Sequence, residues 1–164
     1  MKPYLLLFLM PLLAGCLKKT PPVTDYYPVL MSRESLDKSI VFHTPETISD
    51  PAKIYYKDNF IFVSERFKGV HLIDNTDPKN PVNRGYISIP GCLDMAIKGN
   101  VLYADNAVDM VVLDLSTIGT ANFKVLKRVR NIFPELAPPD GKALPTKYLA
   151  ANRPANTILV AWQK

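Results

Sequence analysis

One unit occurs twice between residues 53 and 130, and this repetition constrains the fold more than any other feature of the chain. Lys57-Asp58-Asn59 returns as Lys98-Gly99-Asn100, 41 positions on, and Phe60-Ile61-Phe62 returns as Val101-Leu102-Tyr103 at the same spacing. Leu72-Ile73-Asp74 returns as Val112-Leu113-Asp114 after 40 positions, so the copies differ by one residue in the polar loop between these matches. A period near 40 residues, built from short apolar runs, lies in the range of four-stranded propeller blades. The copies are bounded as residues 53–90 and 93–130.

The strand reading is local as well. Asp58-Asn59 and Gly99-Asn100 are tight-turn pairs between apolar runs, a hairpin signal. Predicted strands cover 54–56, 60–63, 70–74 and 84–89 in the first copy. In the second they cover 95–98, 101–104, 110–114 and 123–129. Phe60-Ile61-Phe62-Val63 and Val101-Leu102-Tyr103-Ala104 do not alternate apolar with polar. Strands of this kind are expected to be covered on both faces. The predicted class is therefore all-β, with about two four-stranded, propeller-like blades.

Val70-His71-Leu72-Ile73-Asp74-Asn75-Thr76-Asp77-Pro78-Lys79-Asn80-Pro81-Val82 resembles the LVIVD repeat, whose unit ends in a strand-Asp-x-Ser-Asp-Pro-x-Asn-Pro turn. Val111-Val112-Leu113-Asp114-Leu115-Ser116 is similar to a second occurrence, without the Asp-Pro-x-Asn-Pro continuation. The likeness covers nearly half the chain, and the whole layout resembles Bacteroidetes-type lipoproteins with such repeats. It implies a β-propeller-like, extracytoplasmic protein with no established chemistry. The turn residues would be structural, because Pro pre-sets φ and Asp and Asn side chains bond nearby backbone.

The start of the chain gives an address. MKPYLLLFLMPLLAGC has a positive Lys2, an apolar stretch and a small pair, Ala14-Gly15, before Cys16. This is the layout of a secretory signal peptide over residues 1–15. The uncharged run ends at Lys18 and is shorter than the roughly 20 residues that span a bilayer. Leu13-Ala14-Gly15-Cys16 resembles the lipobox of bacterial lipoproteins. The resemblance implies a diacylglyceryl thioether on Cys16, cleavage before it and acylation of the new amino group. Two or three acyl chains anchor stably where one does not. The expected place is the cell envelope, most simply the outer membrane of a Gram-negative bacterium, with the membrane as partner through Cys16.

Residues 16–28 read as the lipidated cysteine and an extended tether, with three Pro among charged residues. Residues 29–52 form a lead-in segment, with a helix or turn near 32–38 and a strand at Ile40-Val41-Phe42. Residues 131–164 form a Pro-rich tail, a long loop ending in a strand over 157–162. Two blades fall short of the four to eight that close a ring. The chain is therefore expected to be the front of a longer reading frame or a short form with open edges. Phe62, Val70, Val112 and Leu113 would then lack part of their cover, and blade edges would favour self-association.

Chemistry-bearing residues are sparse. Of two Cys in 164 residues, Cys92 alone remains after Cys16 is modified, and it reads as a small buried residue. His43 and His71 share no metal-ligand spacing, and His71 reads as packing. Asp105, Asn106 and Asp109 lack the regular oxygen spacing of a calcium loop and read as a solvated turn. Lys124, Lys127, Arg128 and Arg130 read as charge protecting an edge strand. The net charge of +5 is spread along the chain. With an exported address, it gives no reason to expect nucleic acid. No catalytic constellation and no cofactor motif is present, so no catalytic residue, metal or cofactor is assigned. The expected function is a non-catalytic binding or scaffold module with a protein or glycan partner. A fragment of a propeller-type envelope hydrolase, with its active site outside this chain, is the alternative.

Overall fold

The computed structural model describes residues 21–120 and 122–164. The leader, Cys16 and the first residues of the tether lie outside the described residues. The described part is all-β with antiparallel sheets. β1 (Tyr27–Ser32) runs into α1 (Arg33–Asp37), followed by β2 (Val41–His43). The first repeat supplies β3 (Pro51–Lys57), β4 (Phe60–Glu65), β5 (Gly69–Asp74) and β6 (Val82–Ser88). The second supplies β7 (Met95–Lys98), β8 (Val101–Asn106), β9 (Asp109–Asp114) and β10 (Val125–Val129). β11 (Thr157–Gln163) ends the chain.

Each repeat forms an up-and-down meander. The second sheet has the order β10-β9-β8-β7, and the first has β2-β6-β5-β4-β3. The lead-in strand β2 thus gives the first sheet a fifth member, where four were expected. The two repeats share their turn chemistry. Asp58 and Gly99 sit at the same turn position with φ of 53° and 57°, the left-handed region. Asp74 and Asp114 each accept the backbone N–H two residues on, from Thr76 and Ser116, at 2.9 Å. Asn59 and Asn100 carbonyls accept the N–H groups of Asn75 and Leu115. The one-residue difference lies between β4 and β5, where Arg66-Phe67-Lys68 spans a connection that Ala107-Val108 makes between β8 and β9.

Register sets the core. Tyr55, Phe62, Leu72 and Gly85 lie across one row of the first sheet, and Ser64, Val70 and Ile87 across the next. That face packs on Met95, Ile97, Leu102, Ala104, Val111 and Leu113 of the second sheet. At about 25 cal/mol per Å², this shared apolar interior is the dominant stabilising contribution. Phe62, Val70 and Leu113 are consequently buried, which corrects the expectation that they lack cover. The sheets approach closely along β3 and β7. There Tyr55 Oη donates to the Ile97 carbonyl at 3.1 Å and Lys53 pairs with Asp94 at 2.5 Å.

Cover on both faces holds only locally. Four successive residues of β4, Phe62 to Glu65, are all buried. Along β8 and β9, buried and half-buried residues alternate, so one face of the second sheet is incompletely covered.

The two ends of the chain meet in a third, two-stranded sheet. β1 pairs antiparallel with β11 from Tyr27–Gln163 to Ser32–Thr157. The tether reading therefore ends too late. Val23 bridges Ala143, Thr24 is buried, and the strand begins at Tyr27. Pro28 is tolerated because a two-stranded ribbon leaves an edge without a ladder partner. Leu30, Leu136, Leu159 and Trp162 pack with Phe67 and Leu93, and Leu36 and Val160 pack with Ala107. Phe67 and Ala107 are the left-handed turn residues of the two repeats, so the terminal sheet lies across the same end of both meanders. α1 is held there. Its cap is Ser32, whose Oγ accepts the Ser35 N–H at 3.1 Å.

Candidate functional site

Where the hairpin turns of the two sheets come together, they leave a cleft of about 240 Å³. Phe60, Phe62 and Leu72 line it from the first repeat, and Leu115 and Ile118 from the second. The rim is polar: Lys57 and Asp58 pair with each other, and Asn100 and Ser116 stand opposite. Ser116 Oγ is engaged by Asp114 Oδ1 at 2.6 Å. The Asp74 carboxyl is held at about 2 by hydrogen bonding with Thr76 and Arg84 and by the charge of Arg84. The volume is below the 300–1,000 Å³ of typical small-molecule sites. It suits one inserted side chain or a comparably small group. Sequence reasoning missed this cleft, although the equivalence of the two hairpin turns was the signal for it.

At the opposite ends of the strands, buried polar groups gather. Glu65 is 3% exposed and accepts hydrogen bonds from Ser49 Oγ, from Lys68 Nζ at 2.5 Å and from His71 Nε2 at 2.7 Å. Burial pushes its carboxyl up, but the bonds from Lys68, Ser49 and His71 and the Lys68 charge outweigh this and hold it at about 2. A carboxylate only accepts, so Nε2 of His71 carries the hydrogen. Among the described residues His71 Nδ1 is buried without a hydrogen-bond partner. Burial and the Glu65 charge push the Tyr86 hydroxyl up, and its ring lies 4.7 Å from that of His71. Ser49 bonds the carboxylate rather than the imidazole, so no nucleophile–base pair is assembled. His71 is a packed residue of the first sheet, and His43 is exposed on β2.

In the second repeat the corresponding end is built around Asp109. The reading of Asp105, Asn106 and Asp109 as a solvated turn is corrected here, because Asn106 and Asp109 are fully buried. Asp109 Oδ2 accepts Arg33 Nη1 at 2.6 Å and Arg128 Nη1 at 3.0 Å, and its Oδ1 accepts the Asn131 N–H at 3.0 Å. Arg128 also donates to Asn106 Oδ1 at 2.5 Å and to the Leu36 carbonyl at 3.1 Å. Arg130 pairs with Asp37 at 2.7 Å. The basic stretch is therefore only partly an edge guard. Two of its arginines tie α1 to β10, while Lys124 and Lys127 remain exposed. Asp105 accepts the backbone N–H groups of Leu93 and Asp94 at 2.8 Å, and burial raises its carboxyl in spite of them. Burial likewise raises the Cys92 thiol, with Asp105 adding to the effect, so Cys92 is a buried free thiol and not a poised nucleophile.

Among the described residues no three His, Cys, Asp or Glu side chains converge as metal ligands, and no helix is long and apolar enough to cross a membrane. Cys16, the predicted lipidation site, lies outside the described residues. Comparison with protein-family models, with curated proteins and with solved structures gives no match.

Proposed function

We propose that this chain is a lipid-anchored component of the cell envelope, held in the outer membrane through acylated Cys16. It presents two propeller-type blades as a non-catalytic binding or scaffold module. The cleft between the two hairpin turns carries this reading, because both repeats contribute to it and its chemistry is that of recognition. It has apolar walls, a Lys57–Asp58 ion pair on its rim and a Ser116 hydroxyl already engaged by Asp114. The blade reading is supported by two meanders of matching turn chemistry, stacked face to face and closest along β3 and β7. The turn after β5 fits the structural role that the LVIVD resemblance implies. Asp77 accepts the Lys79 N–H at 3.0 Å and the Asn80 side-chain amide at 2.8 Å.

Two measurements test it. The intact mass of the chain recovered from membranes is expected to correspond to residues 17–164 preceded by an acylated Cys16, and Cys16→Ser is expected to abolish the acylation. An unmodified amino terminus elsewhere would overturn the anchoring. Phe60 is partly exposed at the mouth of the cleft, so Phe60→Asp should keep the fold, checked by an unchanged circular dichroism spectrum. A protein or glycan cross-linked to the wild-type chain is expected to be lost with this variant. Equal retention by Phe60→Asp would remove the cleft from the reading.

A further inference from the structure

The stacking of the two sheets is one-sided, and it leaves open the groove on the far side of the second sheet and the β3 margin of the first, whose Val63, His71 and Tyr86 on the same face are buried. Ile54 and Tyr56 of β3 stand where Met95 and Ile97 stand in β7, 41 positions later. Met95 and Ile97 are 8% and 9% exposed because the first sheet covers them, whereas Ile54 and Tyr56 are 72% and 61% exposed. The converse holds on the far side. Phe62 and Val70 are buried against the second sheet, but their counterparts Tyr103 and Met110 line an open groove of about 380 Å³ with Ala96 and Phe133. The terminal sheet of β1 and β11 packs on the turns Phe67 and Ala107, at the end of the stack.

We propose that a second copy of this chain occupies that groove, seating the exposed β3 margin of its first sheet, Ile54 and Tyr56, on the outer face of the second sheet. The inference rests on the repeat reading and extends it. Such a contact continues the interface that the chain already makes within itself. Charge and size both fit. Asp94 stands in the second sheet where Lys53 stands in the first, and the two already pair at 2.5 Å. A docked copy therefore brings its own Lys53 toward Asp94. Within the chain, Tyr55 reaches over to Ile97. At the new contact the counterpart of Tyr55 is the small Ala96, and the counterpart of Ile97 is the large Tyr56, so bulk and space are exchanged between the partners. The contact is heterologous and either closes into a ring or runs on. Two copies supply four repeat meanders, the lower end of the blade range for closed propellers.

Sedimentation velocity of the full chain in mild detergent tests the proposal. The wild type is expected to sediment as a multiple of the single-chain mass and to dissociate on dilution. Tyr56→Glu and Ala96→Glu alter exposed side chains on opposite faces, so both should keep the wild-type circular dichroism. Each alone is expected to weaken association at least tenfold and sediment as one chain. Mixed in equal amounts they are expected to form a two-chain species, because each retains the face that the other lacks. A wild type that stays a single chain at every concentration would overturn the proposal. So would an assembly that both substitutions leave unchanged, or variants that do not pair when mixed. The mass at Cys16, read on the same samples, reports on the anchoring alone.

Discussion

Asp109 is the residue on which the second repeat, the helix and the tail converge. A fully buried carboxylate is costly unless its lone pairs are occupied, and here Arg33, Arg128 and the Asn131 N–H occupy them. Asp109→Ala leaves both guanidinium groups without their shared partner. The expected loss is about 3 kcal/mol, read as a lower urea midpoint with an unchanged slope. Asp109→Asn keeps the shape and one acceptor and should lose less. Glu65 gives the first repeat a pH-dependent counterpart. Its ordinary value near 4.5 falls to about 2 in the folded chain. A lowered folded value means that the unfolded chain binds the proton more readily. The contribution is therefore complete above pH 4.5 and drains away as pH falls from there toward 2. Urea midpoints measured across that window should fall less steeply for Glu65→Gln than for the wild type. Asp74, also held at about 2, keeps the variant's slope from vanishing.

At the scale of the element, the hairpin turns show how two sequences reach one geometry. The β3–β4 turn puts Asp58 at φ 53°, and the β7–β8 turn puts Gly99 at φ 57° with open space around its missing Cβ. Aspartate tolerates the left-handed region and β-branched residues do not. Gly99→Asp is expected to be neutral within about 0.5 kcal/mol. Gly99→Val is expected to lose about 1–2 kcal/mol of stability, measured by the same urea titrations. These turns and the eight strands around them were legible because their signals are local: a turn pair, an apolar run, a repeat of spacing. β1 was not. It carries Pro28 and no alternation, and its partner β11 lies at the other end of the chain. The Asp109 network escaped for the same reason. Arg33 lies 76 positions before Asp109 and Arg128 lies 19 after it, and no periodicity links them. The three polar letters looked like a solvated turn because burial of a carboxylate is decided by partners that only the fold supplies. Tyr103 illustrates a further limit. Its run, Val101 to Ala104, reads as covered on both faces, yet one face of the second sheet is half open.

For the whole molecule, the chain divides energetically into a stack and a clasp. The stack has a continuous apolar core shared by both repeats, whereas the β1–β11 sheet rests on two small clusters at the end of it. Local opening free energies follow buried apolar contact, so the clasp is expected to open below the global limit. Trp162 is the main apolar anchor of one cluster, and its indole Nε1 donates to the Leu136 carbonyl at 3.3 Å. Trp162→Ala should cost about 3 kcal/mol or more locally, through lost area and an unpaired carbonyl. Native-state hydrogen exchange resolves where that cost falls. In the wild type, the amides of β1 and β11 should exchange faster than those of β4, β5, β8 and β9. In Trp162→Ala, the terminal strands should accelerate by at least about tenfold while the central strands change little. α1 should follow the clasp only in part, because Arg128 and Arg33 still tie it to the second sheet through Asp109. Uniform acceleration across all eleven strands would mean that the two ends of the chain and the two repeats fold as one cooperative unit.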